Sequence, residues 1–357
     1  MLDGLVFGWR SAFLLAVLLP VAILATALMV PIRNRIANRT LAALLVVLAG
    51  LATPWMIGFA GFYDRWQWLT YVPFSVSLAV PPLLWLFAHA LSRGHWPRRA
   101  VWHLVPAAVQ ALYKVGQVVL PFEPAIGILF DAILAIGAAV YGAMALATLR
   151  RYRAELADLR SDDALYAAHW LGRAIVAILS LLTIAIGYKI VGQFVPLGYE
   201  GNMGLYIAVA LVALYLGIEG WRHAALELPV VGSDVIDHPV SPPDRDWRAL
   251  GEEIAARVRA EGWETDPELT LSRLARLAGT NTAYLSRALN EGLGKTFSTF
   301  VNGLRCERVA LALEAGSDTT LLNLAVEAGF ASKATFNRSF AARYGCSPST
   351  FRERLIR

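Results

Sequence analysis

Between Ser11 and Arg222 the chain alternates long apolar runs with short polar breaks, and beyond that point the pattern changes to brief amphipathic stretches. A helix that crosses a bilayer needs about 20 mostly apolar residues. Seven runs meet that length, at 11–31, 41–63, 68–91, 101–121, 124–149, 170–196 and 203–222. The pattern predicts a seven-transmembrane-helix bundle over residues 1–223. Residues 224–244 contain Pro229, Gly232, Ser233, Pro239, Ser241, Pro242 and Pro243, which interrupt periodic structure, and read as a linker. If flexible, these 21 residues have an r.m.s. reach of about 25 Å. From 245 to 357 the pattern is helical, without useful β-alternation. Trp247–Glu261 places Leu250, Ile254, Ala255 and Val258 at helical spacing. Thr270 and Ser332 stand at N-cap positions, Pro348 suits the first turn of a last helix, and Gly279, Gly294, Gly329 and Gly345 fall at breaks. The expected fold class is all-α, in two parts.

Charge sharpens the division. Residues 1–244 carry 16 Lys/Arg and 14 Asp/Glu, while 245–357 carry 16 and 13 in less than half the length. The second density is ordinary for a soluble domain, where about a quarter of residues are charged; the first is half of it. With a mean hydropathy of +0.52, this excludes one soluble globule and a disordered chain. Cys306 and Cys346 both lie in the charged part, which fits a reducing compartment and excludes a disulfide scaffold.

The basic residues also orient the spans. Arg33, Arg35 and Arg39, then Arg93, Arg98 and Arg99, then Arg150, Arg151, Arg153 and Arg160 occupy loops one, three and five, whereas the opposite set holds Arg10 and Arg65. By the positive-inside rule the N-terminus is expected outside and the C-terminus in the cytoplasm, in a multi-pass inner-membrane protein. The first run lacks the basic n-region of a cleaved signal peptide and is expected to be retained.

A repeat of about 50 residues runs through the C-terminal part. Leu274-Ala275-x-x-Ala278-Gly279, Leu285-Ser286-Arg287, Gly294 and Phe300 recur as Leu324-Ala325-x-x-Ala328-Gly329, Phe336-Asn337-Arg338, Gly345 and Phe351. Each copy has the layout of a helix-turn-helix, in which a tight turn at Gly aims a second helix at the major groove. Over about Asp266–Arg354 these residues resemble the C-terminal DNA-binding domain of the AraC/XylS family of bacterial transcription regulators. The likeness is densest in Leu324-Ala325-x-x-Ala328-Gly329-Phe330-x-Ser332-x-x-x-Phe336-x-Arg338-x-Phe340-x-x-x-Tyr344-Gly345-x-Ser347-Pro348-x-x-Phe351-Arg352. Phe351 stands where the family usually has Tyr. The resemblance implies two helix-turn-helix units joined by a rigid helix, here about 296–313, both facing one side of double-stranded promoter DNA. A helix of 18 residues is about 27 Å long, compatible with successive major grooves about 34 Å apart.

In the first recognition helix Leu285 and Leu289 point inward, leaving Thr282, Ala283, Ser286, Arg287 and Asn290 outward; in the second, Phe336 and Phe340 point inward, leaving Lys333, Ala334, Asn337 and Arg338. The resemblance maps base contacts onto Ala283, Ser286 and Arg287 and onto Lys333, Ala334, Asn337 and Arg338. Arginine reads guanine and asparagine reads adenine through paired hydrogen bonds. Lys295, Arg305, Arg308 and Arg343 are the expected phosphate contacts, which position without specifying. The plain alternative is a solvated helix face, and the excess of 12 basic over 8 acidic residues between 265 and 357 is modest. Leu274, Leu277, Phe297, Phe300, Phe330, Phe336, Phe340 and Phe351 read as packing residues.

Within the spans, Lys114, Asp131 and Lys189 each lie seven residues from an outer helix end, about 10 Å deep. Buried ionisable groups are costly and often functional. The arrangement suggests a layer in which Asp131 is neutralised by one lysine and a second remains, with a cavity open to the outer side that binds an anionic or polar small molecule near Lys114 and Lys189. The structural alternative is a Lys114–Asp131 pair with Lys189 snorkelling to the surface. Span seven holds no lysine for a retinal Schiff base. His89, His103, His169 and His223 fall near cytoplasmic helix ends without paired metal-ligand spacing, so neither metal nor cofactor is expected.

The sequence therefore predicts a membrane-bound, sequence-specific transcription regulator or activator, with no enzymatic activity, that couples a membrane or extracytoplasmic signal to promoter binding. Its expected partners are double-stranded DNA, the lipid bilayer, a small-molecule ligand and a second copy in a homodimer, with Trp247–Glu261 either carrying the dimer contact or capping the first unit. Rival readings are a transporter or membrane enzyme regulated by the C-terminal domain, and an anchor from which that domain is released by proteolysis.

Overall fold

The computed structural model describes residues 5–119, 123–161, 168–195, 198–225 and 246–356, so almost all of the expected linker at 224–244 lies outside the described residues. The chain divides into two compact units, residues 1–150 with 169–230, and residues 151–168 with 231–357.

The first unit is built from α1 (Trp9–Ala27), α2 (Arg35–Phe59), α3 (Val80–Arg93), α4 (Val105–Gly116), α5 (Pro124–Leu159), α6 (His169–Phe194) and α7 (Gly198–His223). Of the seven expected spans, α1, α2, α5, α6 and α7 are long and apolar enough to cross a membrane. The third and fourth are not: α3 has 14 residues and α4 has 12, or about 21 and 18 Å against a hydrocarbon core of about 30 Å. Proline is the physical reason. Pro81 and Pro82 occupy the first turn of α3 and Pro106 that of α4, the one place where a missing N–H is harmless. The start of each run is spent on single 3₁₀ turns, at Gln67–Tyr71, Ser77–Ala79 and Ala100–Leu104. Pro20 and Pro54 instead lie inside α1 and α2.

Helix α2 packs on α1, α3 and α7, with Leu41, Leu44, Leu45 and Leu48 buried along it. The approach of α7 to α1 and α2 depends on glycine: a Cβ at Gly217 would lie 2.9 Å from Leu24 Cδ1 of α1, and one at Gly220 would run into Leu41 of α2. The buried Asn38 side chain donates to the carbonyls of Arg33 (3.0 Å) and Ala224 (3.1 Å), joining the start of α2 to the end of α7. Outward faces are apolar, with Ile23, Val46, Ile136 and Val176 all exposed, a surface suited to lipid rather than water.

The second unit contains α8 (Trp247–Glu261), α9 (Leu271–Leu277), α10 (Thr282–Arg287), α11 (Phe297–Glu314), α12 (Leu321–Glu327), α13 (Lys333–Tyr344) and α14 (Pro348–Ile356). Thr270, Asn281, Thr296, Thr320 and Ser332 each cap a helix by accepting from the N–H three residues on. Each such cap stabilises by about 1 kcal/mol. One apolar cluster joins Leu274, Leu285, Leu289, Phe297 and Phe300, and a second joins Leu324, Phe330, Phe336 and Phe340, with α11 contributing to both. Ile254, Ala255 and Val258 of α8 enter the first cluster, so that helix packs on the first repeat through its apolar face. Leu277, expected in the core, is exposed.

The end of α5 also belongs to this unit. Leu159 packs against the first cluster, and Arg160 forms a β-bridge with Thr270. Ser161 Oγ donates to the Leu269 carbonyl (3.2 Å), while the Ser161 carbonyl accepts from Asn302 Nδ2 (2.7 Å). Ser161 and Asn302 are both buried, so these are bonds that water does not compete for.

Candidate nucleic-acid interface

Both repeats form a helix, a glycine turn and a second helix. Gly279 and Gly329 adopt φ of +67° and +94°, a left-handed conformation that side chains resist. At Gly329 the requirement is doubled, because a Cβ would lie 2.6 Å from the Thr265 carbonyl oxygen.

Helix α13 presents the expected pattern. Phe336 and Phe340 are buried, with ring centroids 5.6 Å apart, and Phe351 closes on Phe340 at 5.4 Å, which fixes the rotation of the helix. That rotation leaves Lys333, Ala334, Asn337 and Arg338 exposed along one side. Thr335 turns inward and is buried.

The first repeat differs. Helix α10 stops at Arg287 and continues as a wide π turn over Ala288–Gly292. Thr282, Ala283, Ser286 and Arg287 are half-buried, and only Asn290 of the five expected residues is exposed. Arg287 is engaged by Glu291 through two bonds, Nε to Oε1 at 2.9 Å and Nη2 to Oε2 at 3.1 Å, and its guanidinium lies 4.4 Å from the Trp247 ring centroid. Asn290 donates to Ser286 Oγ at 3.3 Å and also hydrogen-bonds Asp158 at the end of α5.

A cleft of about 400 Å³ opens beside α11 and α13, lined by Lys295, Ser298, Thr299, Arg338, Ser339 and Arg343. Three cations and three hydroxyls converge on one concavity, a donor set whose chemistry suits phosphate oxygens. The structure thus gathers Lys295 and Arg343 with Arg338. The hydroxyls escaped the sequence reading, which weighted charge; their one signal was Ser298-Thr299 beside the Thr296 cap. Arg343 is braced by Glu307 at 3.3 Å.

Arg305 requires correction. It is 1% exposed, and its guanidinium donates to the carbonyls of Glu264 (2.7 Å) and Asp266 (2.6 Å) and to Asn302 Oδ1 (3.1 Å). A side chain so enclosed cannot reach a phosphate; the spacing placed it on α11 but could not tell which face the neighbouring turn covers. Arg308, half-exposed, pairs with Glu264 at 3.2 Å.

In the first unit Asp131 pairs with Lys189, not with Lys114. That pair lines a cavity of about 390 Å³ with Ser77, Tyr188, Asn202 and Tyr206.

Residues 274–354 match a family model described as a helix-turn-helix domain, which makes the C-terminal part of the chain such a domain. An uncharacterized HTH-type transcriptional regulator of Staphylococcus aureus is 34% identical over 85 residues, 24% of this chain and 11% of that protein. The HTH-type transcriptional regulator CdhR of Pseudomonas aeruginosa is 34% identical over 85 residues, covering 24% of this chain and 25% of its own length. The probable transcription factor PqrA of Proteus vulgaris is 29% identical over the same length, 69% of that protein. The match thus spans between about a tenth and a quarter of the first two relatives, and the first unit lies outside the family match. No solved structure matches the chain.

Proposed function

We propose that the chain is a membrane-embedded transcription regulator whose second unit binds promoter DNA sequence-specifically. The observation that carries this reading is α13: a capped, aromatically anchored helix that exposes Lys333, Ala334, Asn337 and Arg338 beside a cleft holding Lys295 and Arg343. Bidentate arginine and asparagine contacts in the major groove supply specificity, and the cleft supplies the electrostatic term common to all sequences. The first repeat supplies a second, weaker contact, since Thr282, Ala283, Ser286 and Arg287 are half-buried while the corresponding face of α13 is exposed. The apolar helices α1, α2, α5, α6 and α7 anchor the protein in the cytoplasmic membrane, with the arginine-rich loops and the second unit on the cytoplasmic side. The first unit senses the signal that alters promoter binding.

Genome-wide mapping of the full-length protein on chromosomal DNA tests the reading. A discrete set of promoters, lost when Lys333 and Arg338 are both replaced by Ala, is the expected result. Uniform or absent enrichment together with solute uptake by the purified protein in vesicles would establish the transporter reading instead.

A further inference from the structure

Lys114 stands on the last turn of α4 and has no ion-pair or hydrogen-bond partner among the described residues. It lines a cavity of about 420 Å³ together with Trp55, Tyr63, Thr70, Ser75 and Tyr206. Trp55 and Tyr206 stack at 4.3 Å with their planes 22° apart, giving the cavity a flat apolar wall from α2 and α7. Pro54 and Val72 add to the apolar lining, and Tyr63, Thr70 and Ser75 bring hydroxyls.

The neighbouring cavity, which shares Tyr206, holds Asp131 and Lys189 already joined, so it carries no net charge. An anion entering there has to displace a carboxylate held within the protein. The Lys114 cavity carries one uncompensated cation. An ammonium among apolar helices is costly without a counter-charge, and the hydroxyls of Thr70 and Ser75 line the same cavity as donors for the oxygens of an anion. A single cation matches a monoanion; a phosphate dianion would leave a charge unpaired. Helix α4 is also held in place: Gln110, one turn before Lys114, donates to Ser77 Oγ at 3.2 Å and accepts from the Leu78 N–H at 3.1 Å.

We infer that this cavity binds a carboxylate carried on an apolar body, with Lys114 and the hydroxyls of Thr70 and Ser75 at the carboxylate and the Trp55–Tyr206 wall against the body. The inference rests on the reading of the first unit as a sensor and names the chemistry it senses. The carboxylate could arrive as a small soluble acid or as a fatty acid from the bilayer.

Bromine quenches tryptophan fluorescence at contact, and Trp55 lines the site. The full-length protein in phosphatidylcholine nanodiscs, without DNA, is titrated with 4-bromobenzoate and separately with 9,10-dibromostearate. Saturable quenching by at least one of them is expected, the first marking a soluble source and the second a bilayer source. The dissociation constant is expected to rise at least about tenfold in Lys114→Gln, to stay near wild type in Lys114→Arg and Lys189→Gln, and 4-bromobenzamide is expected not to bind. A tenfold change corresponds to about 1.4 kcal/mol. Absence of saturable quenching by both carboxylates, or equal affinity in wild type and Lys114→Gln, overturns the site and leaves the sensor reading standing. Binding as expected with promoter affinity unmoved supports the site and overturns the sensor reading.

Discussion

The guanidinium of Arg305 on α11 donates to the carbonyl of Glu264 at 2.7 Å, closing 41 residues of chain through one buried charge. The neighbouring turn also meets Gly329 of the second repeat, so this contact sits where the two repeats join. Replacing Arg305 with Ala strands two carbonyls and the Asn302 amide and is expected to cost roughly 3 kcal/mol or more. A lysine ammonium does not reproduce the planar fork, so Arg305→Lys is expected to recover little. Hydrogen exchange of the α11 amides in the full chain reads the loss; unchanged protection, with a shallower salt dependence of DNA binding, would return Arg305 to the phosphates.

Arg338→Ala is expected to weaken promoter binding by about 1–3 kcal/mol and to relax preference at one base pair. Lys295→Ala and Arg343→Ala should instead weaken binding to all sequences alike and reduce the slope of log affinity against log salt by about 1 each. Arg287→Ala is expected to fall short of Arg338→Ala, because Arg287 is half-buried on its helix whereas Arg338 is exposed. Binding measured against a panel of single-base operator variants at several salt concentrations separates the three classes.

At Gly329 an added methyl meets both a φ of +94° and the Thr265 carbonyl. Gly329→Ala is therefore expected to destabilise the second unit by about 2 kcal/mol, whereas Gly279→Ala, with open space around its Cβ position, should cost about 1 kcal/mol from conformation alone. Thermal unfolding followed by hydrogen exchange compares them, and equal losses would contradict the close approach.

Burial pushes the Cys306 thiol up to about 12, against the pull of Arg343 and Arg305. At neutral pH it is a thiol, not a thiolate, and sits inside the second core cluster. Iodoacetamide is expected to label Cys346 in the native protein and Cys306 only after unfolding, as mass spectrometry of the peptides would show.

Asp158 lies beyond the apolar part of α5, in the stretch that belongs to the second unit. Burial raises its carboxyl above the ordinary value; the bond from Asn290 opposes the shift and Glu155 adds to it. A raised carboxylate pKa favours the fold in its neutral form. The contribution is complete below the ordinary value of about 3.9 and is lost as pH rises through the raised one. At neutral pH the charge is therefore a burden, increased by an Oδ1 that is buried without a partner. Asp158→Asn is expected to strengthen the docking of residues 151–161 and to flatten its pH dependence, read as greater amide protection at neutral pH; reduced protection would show that the carboxylate is needed.

Much of the second unit was legible because its rules are local. The Thr270 and Ser332 caps, the four glycine breaks and the inward Phe336 and Phe340 follow from spacing alone. What escaped depends on neighbours distant in sequence. Arg305 and Arg308 are three residues apart on one helix, yet the first is enclosed by the 264–266 turn and the second is half-exposed. Leu277 fits the apolar pattern and remains exposed because no element among the described residues covers it. In the first unit hydropathy located the five long apolar helices and the shorter α3 and α4, but not the length of each. Hydropathy does not register that proline restricts where a helix can begin, which separates α3 and α4 from the other five. The choice between Lys114 and Lys189 for Asp131 was likewise beyond spacing, since both lysines share its expected depth.

Residues 151–161 give the DNA-binding unit a second mooring. They precede α6 in sequence, while the helix-turn-helix repeats follow the 224–244 segment, so the unit is assembled from two separate stretches of chain. A protease that cuts between Ala225 and Asp246 would sever the covalent connection and leave the Ser161 bonds to Leu269 and Asn302 intact. Cleavage by itself would yield a nicked protein rather than a diffusible fragment, and liberation would need a second event that breaks a buried, non-covalent clasp.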